Sequence, residues 1–172
     1  MGLFDMFKKP SKPAALGVSA PAGTLLAPVT GKAVSLSEVS DPVFSSGAMG
    51  KGCGVLPEGD TVYAPAAGTL SAIGAPNFHA LGMVCDDGAE VLIHIGVDTV
   101  EMKGEGFTVF GSKGAHVSAG EPLIKFSSEK IKAAGHDDVV IMAITNSDDL
   151  SSVEFTAPGA IEAGKPVVSY AQ

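Results

Sequence analysis

The chain has 172 residues, room for one compact domain and a tail, and its 45% hydrophobic content can fill a sizeable core. A net charge of −8 excludes a nucleic-acid partner, whose phosphates require a basic surface. Cys53 and Cys85 are too few for a disulfide framework and point to a reducing cytoplasm. No apolar run approaches the roughly 20 residues that cross a bilayer, and the start lacks the apolar core and cleavage site of a signal peptide.

In chain order, residues 1–9, "MGLFDMFKK", place Leu3, Phe4, Met6 and Phe7 ahead of two lysines, a short amphipathic segment suited to peripheral contact with a membrane. Met6 stands where N-myristoylation requires Ser or Thr. Residues 10–23 read as a Pro/Ala/Ser/Gly linker, and a folded domain is expected over 24–172.

Within that domain the sequence repeats itself. "TLLAPVTGKAVSL" (24–36) resembles "TVYAPAAGTLSAI" (61–73), and "HVSAGEPLIKF" (116–126) resembles "AIEAGKPVVSY" (160–170). In the first pair a strand meets an Ala-Pro turn, then a glycine, then a second strand. With 22 glycines and 11 prolines between short apolar runs, the expected fold is all-β: two interlocked antiparallel motifs closing into a sandwich or barrel. Short helices are expected only over 127–135, with Ser127 or Ser128 as N-cap, and as a turn at 147–152.

Two glycine-rich stretches mimic nucleotide-binding loops. "GAIEAGK" (159–165) has phosphate-loop spacing, but Pro166 replaces the magnesium-binding hydroxyl and no helix can follow, so it reads as a β-turn. "GAMGKGCG" (47–54) lacks the spacing and the βαβ frame of a dinucleotide site and reads as a flexible loop, with Cys53 a small filler.

Of the four histidines, His116 and His136 fall in polar loops and read as surface residues. His94 stands inside the apolar run "EVLIHIGV" (90–97), and a buried imidazole without partners costs about 1–3 kcal/mol. The turn signal Asp86-Asp87-Gly88 separates it from His79. A two-residue loop sets His79 directly opposite His94; a three-residue loop slips the pairing by one. Either way the imidazoles fall on neighbouring strands, roughly 5–8 Å apart at Cβ. Three readings follow: a mutually satisfied structural pair, a metal site with Asp98, or phosphoryl transfer through a neutral imidazole.

The segments "HIGVDTVEMKGEGF" (94–107), "NFHALG" (77–82), "APVTG" (27–31) and "DPVF" (41–44) closely resemble the glucose-type enzyme IIA of the bacterial sugar phosphotransferase system, over nearly all of 24–170. The resemblance implies a β-sandwich with Greek-key and jelly-roll character, no cofactor and no resident metal. It implies that His94 accepts a phosphoryl group on Nε2 from the histidine phosphocarrier protein and hands it to a cysteine of a sugar-specific enzyme IIB/IIC permease. His79 would stabilise the group, the Gly96 carbonyl would orient His94, and Asn77, where the family usually has Thr, would support His79. Asp41 and Asp98 match acidic rim positions that meet the phosphocarrier, and Val43, Phe44, Leu92 and Val100 match its exposed apolar rim. Phosphorylation could also switch affinity for regulated transporters or kinases. Ser152 stands near the position of a zinc-ligating Glu that enteric members use with glycerol kinase, so that partnership is not expected. The alternative of another class is a zinc hydrolase on a similar duplicated β fold, which near-stoichiometric zinc would reveal.

Overall fold

The computed structural model describes residues 11–156 and 158–172, so the amphipathic segment expected at 1–9 lies outside the described residues. The repeats become strands where the sequence placed them. β1 (Thr24–Leu26) and β2 (Gly31–Ser35) flank the first Ala-Pro turn, and β4 (Thr61–Tyr63) and β5 (Gly68–Ala72) flank the second. Between them lie α1 (Pro42–Ser45) and β3 (Lys51–Pro57). The chain continues through β6 (Ala80–Cys85), β7 (Glu90–Ile95), β8 (Phe107–Val109), β9 (His116–Val117) and β10 (Pro122–Phe126). After α2 (Ser128–Ala133) come β11 (Val140–Ile144), β12 (Ser152–Phe155), β13 (Gly159–Ile161) and β14 (Pro166–Ala171).

All strand pairing is antiparallel, and the duplication governs it. The eight-stranded sheet runs β13-β2-β3-β11-β7-β6-β5-β9, and two three-stranded sheets run β1-β14-β12 and β4-β10-β8. Exchanging β1 with β4, β2 with β5, β3 with β6, β7 with β11, β8 with β12, β9 with β13 and β10 with β14 maps each small sheet onto the other and reverses the large one. Even an irregularity is repeated: the register slips where Leu26 meets Pro166, and again where Tyr63 meets Pro122. Each slip falls at a proline that opens its strand, where the missing N–H cannot serve the ladder.

The three sheets share one core, with Leu25 and Val168, Val62 and Ile124, and Leu81, Ile93 and Met142 drawn from each in turn. The fold is thus an antiparallel β-sandwich with only short helices among the described residues. Strand alternation then settles the setting of His94. Val91, Ile93 and Ile95 enter the shared core, whereas Leu92 and His94 point to the opposite face of the sheet. There a second, smaller cluster of Leu36, Val39, Phe44, Val139 and Ile141 covers them in part.

Several expectations change. The loop at 47–54 is already strand from Lys51, because Cys53 packs fully buried opposite Met142. Burial alone pushes its thiol up to about 12. The stretch 159–165 opens as β13 before turning. His136 is no ordinary surface residue: its side chain is only 13% exposed, 3.6 Å from Glu101. Ser127 is indeed the N-cap of α2, its hydroxyl accepting the Lys130 N–H at 3.2 Å, and Gly135 ends that segment at φ +86°.

Candidate functional site

The β6–β7 hairpin brings the two histidines together, though not as a regular ladder would. Its loop is Asp86-Asp87-Gly88, closed by Cys85 N–H to Ala89 O at 2.8 Å, so Ala80 pairs with His94. In a continuing strand that register would send His79 to the other face. The chain instead leaves the strand at a turn whose Asn77 carbonyl accepts the Ala80 N–H at 3.3 Å. The turn swings the His79 ring to 4.8 Å from that of His94, centroid to centroid, at 78° between planes. Phe107 packs on the far edge of His79 at 6.4 Å. Asn77's side chain is exposed and makes no hydrogen bond among the described residues; its contribution here is the backbone turn.

His94 is fixed at one nitrogen only. Its Nδ1–H donates to the Gly96 carbonyl at 2.7 Å, which selects the tautomer with a lone pair on Nε2. Among the described residues Nε2 has no hydrogen-bond partner, and no buried side-chain nitrogen lacks one, so Nε2 faces solvent. By the same reasoning the ring nitrogens of His79, which make no hydrogen bond among the described residues, also reach the surface. Phe44 lies against the His94 ring at 5.2 Å.

Gly96 is held in a conformation that other residues resist. Its φ is +79°, and an added Cβ would lie 2.4 Å from Thr99 Cγ2 and 2.9 Å from the Asp137 carbonyl. Its N–H donates to Val139 O at 2.7 Å, and the next N–H, of Val97, to Asp137 O at 3.0 Å. The buried Thr99 hydroxyl donates back to Ile95 O, closing the bend. Sequence reasoning missed Thr99, Asp137 and Phe107 as parts of this frame. Thr99 and Phe107 sat inside the motif itself; nothing in the sequence marked the Asp137 carbonyl.

Both imidazoles are held neutral. Burial, reinforced by the neighbouring His94, lowers His79 from the ordinary 6.5 to about 4. Burial also lowers His94, opposed by the Gly96 hydrogen bond and by the charges of Asp41 and Asp98. Asp41 caps α1, accepting the Val43 N–H at 3.0 Å, and Asp98 opens the turn Thr99–Met102 in the left-handed region at φ +59°.

The apolar positions divide. Val43 and Val100 are 52% and 54% exposed, and Leu92 is half-buried. Phe44 corrects the expectation of an exposed rim. It is 5% exposed, because α1 turns it inward onto Val139 and Ile141. Beside Leu92 an apolar groove of about 340 Å³ runs along Ile73, Pro76 and Asn77 with Lys113 at its edge.

Neutral nucleophile, oriented ring, second imidazole and apolar surround together suit transfer of a small anionic group. Among the described residues no helix is long and apolar enough to cross a membrane. The sequence profile described as phosphoenolpyruvate-dependent sugar phosphotransferase system, EIIA 1, matches residues 23–150. The chain is 38% identical over 144 residues to a glucose-specific EIIA component of Staphylococcus aureus, covering 84% of this chain and 86% of that one. It is 45% identical over 124 residues to the beta-glucoside-specific EIIBCA component of Bacillus subtilis, 72% of this chain but only 20% of that longer protein. The solved glucose permease IIA of Mycoplasma capricolum superposes with a TM-score of 0.77 at 31% identity, over 84% of this chain and 93% of that one.

Proposed function

The chain belongs to the EIIA 1 family of the phosphoenolpyruvate-dependent sugar phosphotransferase system, and from that premise we propose that His94 is the residue that carries the phosphoryl group. As a family member the protein is a phosphotransferase component acting in sugar uptake. The observation that carries the residue assignment is the 2.7 Å bond from His94 Nδ1–H to Gly96 O, which leaves Nε2 unpartnered and nucleophilic.

In this reading the histidine phosphocarrier protein docks on Val43 and Val100, with Asp41 and Asp98 meeting a cationic residue beside its phosphohistidine. The Nε2 lone pair attacks phosphorus, the donor's N–P bond breaks, and its electron pair returns to the donor imidazole. Positive charge that grows on the His94 ring is shared with the Gly96 carbonyl through Nδ1–H. His79, neutral and 4.8 Å away, offers a ring N–H to the phosphoryl oxygens. A thiolate of a sugar-specific enzyme IIB then attacks the same phosphorus, and Nε2 recovers its lone pair. Docking excludes water, which would otherwise hydrolyse the N–P bond. The exchange belongs in the cytoplasm, and the choice of sugar rests with the membrane permease. Asn77 acts through the turn that presents His79.

Incubation with phosphoenolpyruvate, enzyme I and the phosphocarrier protein tests the reading. One acid-labile phosphate per chain is expected, and none with His94→Gln. Undiminished labelling of His94→Gln would overturn the assignment.

A further inference from the structure

The stretch before β1 has linker composition, yet it lies against the domain with the alternation of a strand. Leu16, Val18 and Ala20 are half-buried, while Gly17 and Ser19 between them are exposed. The Leu16 N–H donates to the Gly120 carbonyl at 3.0 Å, and Ala20 packs on the shared core. The seat for Leu16 and Val18 is made of two glycines. A Cβ on Gly120 would lie 2.8 Å from Val18 Cγ2 and 3.1 Å from Leu16 Cβ, and one on Gly164 would lie 3.1 Å from Leu16 Cδ1.

Gly120 and Gly164 are the same residue of the two repeats, in "AGEP" and "AGKP", and both turn at positive φ, +80° and +88°. The duplication therefore builds a groove between its two copies of one turn, and the absence of side chains from both glycines lets an apolar-x-apolar segment, itself turning at Gly17 (φ +68°), lie across it. Downstream the segment is latched. Gly23 N–H donates to Asp87 Oδ2 at 3.0 Å, the Tyr170 hydroxyl donates to the same oxygen, and Tyr170 N–H donates to Gly23 O at 2.9 Å. Asp87 lies in the loop of the β6–β7 hairpin, whose other end carries the histidines. His94 is the sixth residue after Gly88, about 20 Å along a strand.

We propose that residues 14–20 are a built-in ligand of this glycine-lined groove, and that the strap they form launches the start of the chain from the pole opposite His79 and His94. The folded unit then begins near Ala14, ten residues earlier than the repeats suggest. The histidine pair lies at the other end of the β6–β7 hairpin from this latch and stays open to docking partners.

The test uses the full chain with a nitroxide on Ser19→Cys. Cys53 and Cys85 stay unlabelled, since both are buried and burial pushes each thiol up to about 12. Amide resonances of Gly120 and Gly164 should be broadened, and those of Val43 and Val100 should be unaffected. The Leu16 amide should exchange at least about tenfold more slowly than that of Lys12. Leu16→Ser with Val18→Ser should abolish both effects while leaving exchange in β7 and β11 unchanged. Broadening of Val43 and Val100 as strong as that of the turns, or an unprotected Leu16 amide in the unaltered chain, would overturn the proposal.

Discussion

At the scale of single residues, two side chains and one carbonyl account for the proposed chemistry, and each has its own expected failure. His94→Gln removes the nucleophile. His79→Gln keeps it, so phosphate acceptance should survive while onward transfer to enzyme IIB slows; rapid-quench assays of the two half-reactions separate these outcomes. Gly96→Ala strains the backbone at φ +79° and drives a methyl into Thr99. A cost of about 1–3 kcal/mol in urea unfolding is expected, together with slower phosphate acceptance as the Nδ1 contact shifts. The importance of His94 was legible in the sequence, since an imidazole amid Val91, Ile93 and Ile95 demands a reason. Its true setting was not, because a run of apolar residues does not reveal that Leu92 and His94 face a second, shallower cluster. The role of Phe44 was hidden likewise: a four-residue helix capped by Asp41 decides which way its ring points.

At the scale of elements, the hairpin shows what spacing can and cannot deliver. Asp86-Asp87-Gly88 announced a turn, and two registers were open; the three-residue loop prevails because Asp87 is engaged elsewhere. Its Oδ1 accepts the Ala89 N–H at 3.2 Å while its Oδ2 binds Gly23 and Tyr170. Those partners lie far off in the chain and leave no local signature. Burial of Asp87 pushes its carboxyl up, but the hydrogen bonds from Tyr170, Gly23 and Ala89 more than offset this and hold it below the ordinary 3.8. A depressed carboxyl stabilises the fold above its unfolded value, and that contribution is lost as pH falls through the folded value. Tyr170→Phe removes one charged hydrogen bond, so a loss of about 1–3 kcal/mol at neutral pH is expected, with acid unfolding moved to higher pH. Phe44→Ala should cost about 3 kcal/mol and, by freeing the His94 ring, slow phosphate acceptance beyond any effect on docking. Val43→Asp, on the exposed side of the same helix, should leave the unfolding midpoint in place and weaken only partner-dependent transfer.

At the scale of the whole molecule, the duplication was the most legible feature, because Ala-Pro and Gly-x-Pro turns recur at matching offsets. Its consequences needed the fold: a strand order equivalent from either edge, a register slip made twice, and a groove between twin glycines. The strap escaped notice because Pro, Ala and Ser dominate it; only the Leu16-x-Val18-x-Ala20 spacing hinted at a docked segment. The buried His79 and half-buried His94 also give the molecule a common pH response. His79 titrates at about 4 in the fold against 6.5 when free, so the unfolded chain takes up its proton first. Stability should therefore decline as pH falls from 6.5 toward 4, and His79→Gln should flatten that decline in thermal scans. Phosphate acceptance by His94, itself lowered, should persist below the ordinary histidine midpoint.

The central claim is that Nε2 of His94 carries the phosphoryl group while Nδ1 stays bonded to Gly96. Phosphorus and nitrogen NMR on ring-labelled protein, phosphorylated through phosphoenolpyruvate, enzyme I and the phosphocarrier protein, measures this directly. The account predicts a single Nε2-phosphohistidine at position 94, with the Nδ1 proton retained in its hydrogen bond. Phosphate on Nδ1 of His94, or on His79, would contradict it.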